Sequence, residues 1–338
     1  MNDSFEAVKS FFRNNFLPQK RTNWGYPLFI MAVGLASIYI AKELLSSYLP
    51  FTSTSIVFNS LVMPLLTLIA LIAPAISLSS GDTDLSINGI TGKFTGIGPL
   101  LIAFFSGVPL SLVNSAFHNL VAYLWLRVGN SMVFPAFMCY NADDSVPSKI
   151  LQLVTVDAIP ALGMCIFFTG LMYSLFREEN KLLGTIIIVI FYVLYSLNMI
   201  DIVGIAITGL WIVILRRKTG NITAPFLSII AMKLTGTFCT FIISEVDITT
   251  LQTYSDIPVS FFYTSIPALF VSAILFGFFK ASLDDFERTY YSDMLGREVD
   301  AELEEQPVKI LPFVKGLNPA LLVAVIILAG LWIRILTA

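Results

Sequence analysis

Charged residues are scarce in this chain, and their scarcity excludes most classes of soluble protein. Asp, Glu, Lys and Arg make up 13% of the 338 residues, whereas a soluble domain carries about 25%. The net charge of −3 and the scattered basic residues argue against a nucleic-acid partner. Hydrophobic residues account for 56% of the chain, and the mean hydropathy is +0.82. The composition therefore predicts a polytopic helical membrane protein in contact with lipid.

Histidine and cysteine are too few to build most metal sites. The sole histidine is His118, and the three cysteines, Cys139, Cys165 and Cys239, show no metal-ligand spacing. We therefore expect no metal and no other cofactor. The first 23 residues are polar, unlike a cleavable signal peptide. We expect the first spanning helix to act as an uncleaved insertion signal.

Apolar runs long enough to cross a bilayer recur along nearly the whole chain. A helix needs roughly 20 apolar residues to span the hydrocarbon core. The runs predict an all-α bundle of eight or nine transmembrane helices, the third of them kinked or broken near Pro109. The predicted spans are 27–45, 56–78, 97–126, 151–175, 183–200, 202–215, 221–243, 257–279 and 317–337.

The distribution of Lys and Arg predicts the orientation of these spans. With the N-terminus in the cytoplasm, fifteen of the basic residues fall on the inner side. Only four, Lys42, Arg127, Lys149 and Arg334, fall on the outer side. We therefore expect an integral protein of a prokaryotic plasma membrane, with the N-terminus inside and the C-terminus outside. The cytoplasmic segment 281–316 is then an amphipathic surface helix, a partner contact or a solvated linker.

Three stretches share a pattern with one family of membrane proteins. TGNITAPFLSII, from Thr219, is similar to "RTGSLWAPILAHALNN"; PALGMCIFFTG, from Pro160, is similar to "PAICEELLFRG"; and FYVLYSL, from Phe191, is similar to "FALLHL". The spacings also agree, with 31 residues from Met164 to Tyr195 and 24 from Tyr195 to Thr219. These phrases belong to the CPBP family, the CAAX proteases and bacteriocin-processing (Abi-type) enzymes, which this chain resembles.

The resemblance covers roughly residues 90–245 and implies a division of the chain. It implies a CPBP-like membrane core over 90–245. The preceding part, 1–89, then holds a cytoplasmic segment and two transmembrane helices. The following part, 246–338, holds the last transmembrane helices and the cytoplasmic loop 281–316.

The resemblance also implies that every catalytic position of the family is altered. Family members use a Glu pair, two His residues and an Asn inside the membrane. The corresponding positions, with that of the Arg in "FRG", are here occupied by Met164, Cys165, Thr169, Tyr195, Ile229 and Lys233. Peptide hydrolysis needs a general base and an oxyanion stabiliser or metal, which these side chains do not supply. The resemblance therefore implies a pseudoenzyme without catalytic residues.

Lys233 is the most informative of these positions, because a lysine near mid-bilayer needs a partner. It lies about 12 residues into its span, and Asp157 lies about six residues into a span that runs the other way. At 1.5 Å rise per residue, the two charges lie at nearly the same depth. We predict that they form an ion pair. Asn114 and His118, at i and i+4, are further polar candidates, either as a proton relay or as interhelical hydrogen-bonding groups.

The predicted function is that of a scaffold or binding subunit. Its partner would be another membrane protein or a hydrophobic or lipidated peptide. One alternative is an active CAAX-type intramembrane peptidase with an unorthodox site drawn from His118, Glu178, Glu179 and Tyr195. The other is a transporter or transporter accessory subunit, in which Asp157, Lys233 and Asp201 line a path.

Overall fold

The structure is a computed structural model of the chain. It describes residues 24–48, 56–79, 87–93, 96–128, 146–176, 181–239, 259–295 and 318–337, and the single positions 6, 10, 243, 245, 246 and 257. The predicted all-α architecture is confirmed in these ranges, where every named element is helical. Glu178, Glu179, Cys139 and residues 296–317 lie outside them.

Eleven helices follow one another in the described part of the chain. They are α1 (Gly25–Tyr48), α2 (56–79), α3 (Ile87–Thr91), α4 (Ile97–Phe105), α5 (Gly107–Arg127), α6 (146–176), α7 (Lys181–Ser196), α8 (Ile202–Thr219), α9 (Thr223–Phe238), α10 (Ser260–Leu295) and α11 (Pro319–Thr337).

Six helical stretches are long and apolar enough to cross a membrane, so an integral membrane protein is supported. They are Gly25–Leu44, Ser60–Leu78, Ile97–Arg127, Val146–Phe176, Ser260–Arg288 and Pro319–Leu336. The apolar part of α7, Leu182–Ser196, is shorter. The predicted count of eight or nine crossings is therefore not confirmed. The 16 residues of α9 rise only about 24 Å, less than the hydrocarbon thickness.

The predicted break in the third span is present at Ser106, which separates α4 from α5. The break lies against α9, and Gly107 is needed there. A Cβ added to Gly107 would lie 2.4 Å from the backbone oxygen of Ser228. The indole of Trp211 donates to the Ser106 hydroxyl at 2.9 Å, and that hydroxyl lies 3.0 Å from the Ser228 hydroxyl. This contact holds α9 close to the α4–α5 junction.

Helix α6 contains two π-helical segments, Leu153–Ala158 and Cys165–Met172. The first precedes Pro160, whose ring would clash with the carbonyl of Val156 in a regular α-helix. The wider π turn relieves that clash: the amide of Ile159 donates to the carbonyl of Val154, five residues earlier. Helix α2 has the same arrangement, because its π-helical segment Thr67–Ile72 precedes Pro74.

Three predicted boundaries are wrong. Helix α10 continues to Leu295, so the first part of the predicted loop 281–316 is helical and continuous with the span before it. Residues 281–295 include good helix formers such as Ala, Leu, Glu and Arg, with no Pro or Gly, so nothing in them ends the helix. Helix α9 ends at Phe238 rather than 243, and α7 ends at Ser196 rather than 200. At that end Leu197 has a positive φ of 46°, which terminates the helix.

The main hydrophobic core lies where α6 meets α1, α2, α7, α8, α9 and α11. Its largest fully buried side chains include Phe167, Phe168 and Met172 of α6. Helix α9 packs against α4 and α5 on one side and against α8 and α6 on the other. This central position of α9 brings Lys233 next to α6.

Candidate polar site in the membrane

The structure brings Asp157 and Lys233 together, as the sequence predicts. The Lys233 ammonium lies 3.3 Å from Oδ1 of Asp157. Asp157 belongs to the first π-helical segment of α6, and Lys233 lies in the C-terminal half of α9. The two side chains differ in burial: Asp157 is 6% exposed and Lys233 is 44% exposed. Asp157 is therefore buried inside the bundle, whereas the Lys233 side chain is partly exposed at its surface.

One oxygen of Asp157 is incompletely satisfied. Oδ2 is buried and makes no hydrogen bond in the part of the chain that the structure describes. The hydroxyl of Tyr195 is also buried and makes no hydrogen bond within the described residues. Burying a polar oxygen without a partner costs about 1–3 kcal/mol, and more for a charged group. The ion pair with Lys233 therefore engages only one of the two Asp157 oxygens.

The remaining altered positions lie in the core rather than around the charge pair. Cys165, Tyr195 and Ile229 are buried in one apolar cluster, and Met164 packs against it. The Thr169 hydroxyl donates to the carbonyl of Cys165 at 2.7 Å, within the same helix. These side chains are therefore engaged in packing or in their own helix. The described residues contain no group of three or more His, Cys, Asp or Glu side chains able to hold a metal ion.

Aromatic rings fill the space beside these positions. The ring of Phe168 meets those of Tyr192 and Tyr195 edge-on, with centroids 5.2 Å and 6.1 Å apart. Such edge-to-face pairs add about 0.5–1.5 kcal/mol each to the burial of the rings. The region that the family resemblance marks as catalytic is thus a packed aromatic core.

His118 belongs to a second polar cluster, in which α5 contacts the turn between α7 and α8 and the segment at Val246. Its Nδ1 lies 2.8 Å from Oδ1 of Asp201, and its Nε2 lies 3.2 Å from the carbonyl oxygen of Val246. Both partners are acceptors when Asp201 is ionised, so both ring nitrogens must donate. The geometry therefore favours a positively charged imidazolium paired with Asp201.

Asp201 lies in the turn between α7 and α8, where its second oxygen is also engaged. The amide of Asn198 donates to Oδ2 at 2.7 Å. Burial alone would raise the pKa of Asp201. The hydrogen bond and charge of His118, with Asn198 and the more distant Lys233, instead hold that pKa below its usual value.

Asn114 and His118 do not form one site, although they share a helical face. The Asn114 amide donates to the carbonyl of Leu110 at 2.8 Å and to the hydroxyl of Thr208 at 3.1 Å. A Cβ on Gly204 would overlap the Asn114 amide, which shows how closely α8 approaches. Asn114 therefore joins α5 to α8, whereas His118 contacts Asp201 and Val246.

Sequence reasoning missed a buried arginine in the last turn of α8. Arg216 is 4% exposed, and its guanidinium donates to four backbone carbonyls. These belong to Gly89, Ile90, Thr91 and Gly220, at distances of 2.6–3.1 Å. The α3 segment is thereby fixed to the end of α8. The only available signal was the following Gly220, which adopts the left-handed conformation that ends α8.

Comparisons of the chain with protein-family models, with curated proteins and with solved structures found no match. The functional argument therefore starts from the two polar clusters and the packed core between them.

Proposed function

We propose that this protein is a CPBP-like membrane pseudoprotease that acts by binding. Its partner is another membrane protein or a hydrophobic or lipidated peptide. One observation carries the proposal: of the altered catalytic positions, only Lys233 is charged, and its side chain is 44% exposed beside a buried Asp157. A partly exposed charged side chain in an apolar bundle can recognise a partner, because a polar group of the partner interacts with it more strongly there than in water.

Hydrolysis is the less favoured function for a chemical reason. A peptidase needs a base within hydrogen-bond reach of the attacking water. Cys165, Tyr195 and Ile229 are packed in the core, and both nitrogens of His118 are engaged by Asp201 and Val246. Glu178 and Glu179 lie outside the described residues. Binding of a partner is therefore more consistent with this arrangement of side chains than peptide hydrolysis.

The proposal includes nine crossings in a prokaryotic plasma membrane, with the N-terminus in the cytoplasm. The contacts of the first and last helices support it. A Cβ on Gly25 would touch Asn318, and Glu43 meets Arg334 at 3.3 Å, so α1 and α11 run parallel. Parallel first and last spans require an odd number of crossings. Cysteine labelling at residues 20 and 143 should report opposite sides of the membrane, and labelling from the same side would contradict this topology.

Site-specific photo-crosslinking tests the binding function. A photoreactive residue at Gly236, one turn beyond Lys233, would stand on an exposed face. Among the described residues, a Cβ added there would meet only the Ser111 hydroxyl, at 3.5 Å.

Gly330 in α11 is a matched control, because it is also exposed and no described atom lies within 4 Å of a Cβ added to it.

We expect one stoichiometric partner to be crosslinked from position 236 and not from position 330. The Lys233→Met variant should lose that product. Hydrolysis of a prenylated or leader peptide by the purified chain, abolished by His118→Ala, would overturn the proposal.

A further inference from the structure

Helix α10 is the least covered of the six candidate membrane spans. Only 11% of its most apolar stretch is buried, against 33–56% in the other five. One side of α10 packs against α4, α5 and α8. Exposed residues recur on the opposite side from Tyr263 to Ala281, over the whole apolar part of the helix. In a monomer this side would face lipid alone.

The exposed residues on this side follow the repeat of a paired helix. Six of them are separated alternately by four and three residues, the spacing at which two helices pack side by side in a left-handed pair. The two nearest the C-terminus are small, and small residues let a second backbone approach closely in a membrane. We call these six residues the pairing face: Tyr263, Pro267, Phe270, Ile274, Gly277 and Ala281.

The pairing face and the residues beside it expose enough surface for a stable dimer. Three aromatic side chains there are 64–76% exposed: Tyr263, Phe270 and Phe278. Since an aromatic side chain buries about 150–250 Å², these three can bury roughly 300–500 Å² against a partner. Three aliphatic side chains on the same side are 48–72% exposed: Ile266, Val271 and Ile274. Together they approach the area of about 800 Å² that each partner buries in a standard interface.

Contacts with α8 fix the rotation of the charged part of α10. The Lys218 ammonium lies 2.6 Å from Oδ1 of Asp284 and 2.5 Å from Oε2 of Glu287. Leu283 is buried in an apolar cluster with residues of α8. These contacts turn the two carboxylates toward their own bundle. The opposite side of the helix therefore stays directed away from the bundle.

Two residues of opposite charge flank the C-terminal end of the pairing face. Lys280 and Asp285 are both exposed and lie five residues apart. In parallel helices that meet through Gly277 and Ala281, these are the flanking positions at which ion pairs form between paired helices. Lys280 of each copy would then lie beside Asp285 of the other. Contact with lipid alone accounts neither for the small residues nor for this order of charges.

We propose that two copies of this chain pair in the membrane through the pairing face of α10. All copies insert with the same orientation, so the two-fold axis runs along the membrane normal and the two α10 helices are parallel. The inference goes beyond the proposed function, because it concerns a surface of α10 and does not involve Lys233.

Disulfide formation in membrane vesicles tests the pairing. Two cysteines can be joined only when their Cα atoms lie within about 7 Å of each other. Gly277→Cys places a thiol in the pairing face. Gly330→Cys in α11 is the matched control, because both glycines are exposed and no described atom lies within 4 Å of a Cβ added to either. We expect a linked product of twice 37.3 kDa from position 277, and none from position 330 or from the parent chain with its own three cysteines.

Charge reversal tests whether the partner is a second copy. In the Gly277→Cys chain, Lys280→Glu places carboxylates of the two copies side by side and should lower the linked fraction several-fold. Adding Asp285→Lys restores opposite charges and should restore the linked fraction. A different partner protein would not be rescued, because the compensating change lies in this chain. Lys93→Glu, at another exposed lysine, is the control and should leave the linked fraction unchanged.

The mass of the complex in a mild detergent gives an independent measurement. By light scattering, we expect the parent chain and Gly330→Phe to be dimers. Gly277→Phe should be a monomer, because its ring would keep the two backbones apart.

Four results would overturn the inference. They are no linkage from position 277, equal linkage from 277 and 330, linkage of 277 to a different protein, and no rescue by the exchanged charges. The first would mean that lipid alone covers α10. None of them affects crosslinking from position 236, which tests the proposed function, so the two failures are distinguishable.

Discussion

Substituting Lys233 or Asp157 alone breaks the same ion pair, but the two variants should lose different amounts of the free energy of unfolding. Lys233→Met leaves a carboxylate that is 6% exposed and whose Oδ2 makes no hydrogen bond among the residues that the structure describes. We expect this variant to lose about 3–5 kcal/mol. Asp157→Leu instead leaves an ammonium on a flexible chain that is 44% exposed. That side chain can extend toward the membrane surface, so we expect a loss of only about 1–2 kcal/mol.

The assay is reversible unfolding of the detergent-solubilised chain, analysed as a double-mutant cycle with Lys93→Met, at an exposed lysine, as the control. The effects should be strongly non-additive, because the second substitution removes the charge that the first one stranded. Additive effects or equal single losses would refute the reasoning.

Three further predictions concern the framework around the site. Gly107→Ala should lower the free energy of unfolding by about 1–3 kcal/mol, because its Cβ would lie 2.4 Å from a backbone oxygen of α9. The control variant Gly330→Ala should raise it by about 0.5–1 kcal/mol. Denaturant unfolding measures both changes. Arg216→Lys should lower the free energy of unfolding by about 2–4 kcal/mol in the same assay, since an ammonium cannot reach four carbonyls. Its exposed neighbour provides the control, because Arg217→Lys should leave that free energy nearly unchanged. The pKa of Asp201 is lower in the folded chain than in the unfolded chain, where it is about 3.9. Ionised Asp201 therefore stabilises the folded chain at pH values above about 3.9. That stabilisation is lost as the pH falls through the pKa of the folded chain. Asp201→Asn should therefore be less stable at neutral pH and should flatten the acid side of the stability profile, and an unchanged profile would contradict this.

The helices could be predicted because bilayer thickness sets their length. Each predicted span overlaps a described helix, since a run of about 20 apolar residues has few alternatives in a membrane. The boundaries near polar segments were less predictable. At α10 the apolar run ends near 280 but the helix continues to Leu295, because hydrogen bonds within a helix continue beyond the bilayer wherever the residues favour them.

The Asp157–Lys233 contact could also be predicted, because depth alone restricts which intramembrane charges can meet. The rise per residue placed both at one level, and few other carboxylates were available there. The π-helical turns could not be predicted in the same way. Two of them precede Pro160 and Pro74, but a proline inside a helix can also be accommodated by a kink, so the proline alone does not specify a π turn. Arg216 was missed for a similar reason, since its partners are backbone carbonyls that carry no side-chain signature.

The charge pair itself is evidence for binding rather than for stability. Replacing a buried ion pair by apolar side chains of similar size is often neutral or stabilising by about 1–4 kcal/mol. We therefore expect the double variant Lys233→Met with Asp157→Leu to unfold no more easily than the parent chain. It should nevertheless lose the crosslink from position 236, because the recognition charge is gone. A double variant that is much less stable than the parent would mean that the pair serves the fold. A stable one that still binds would mean that recognition lies elsewhere on the bundle.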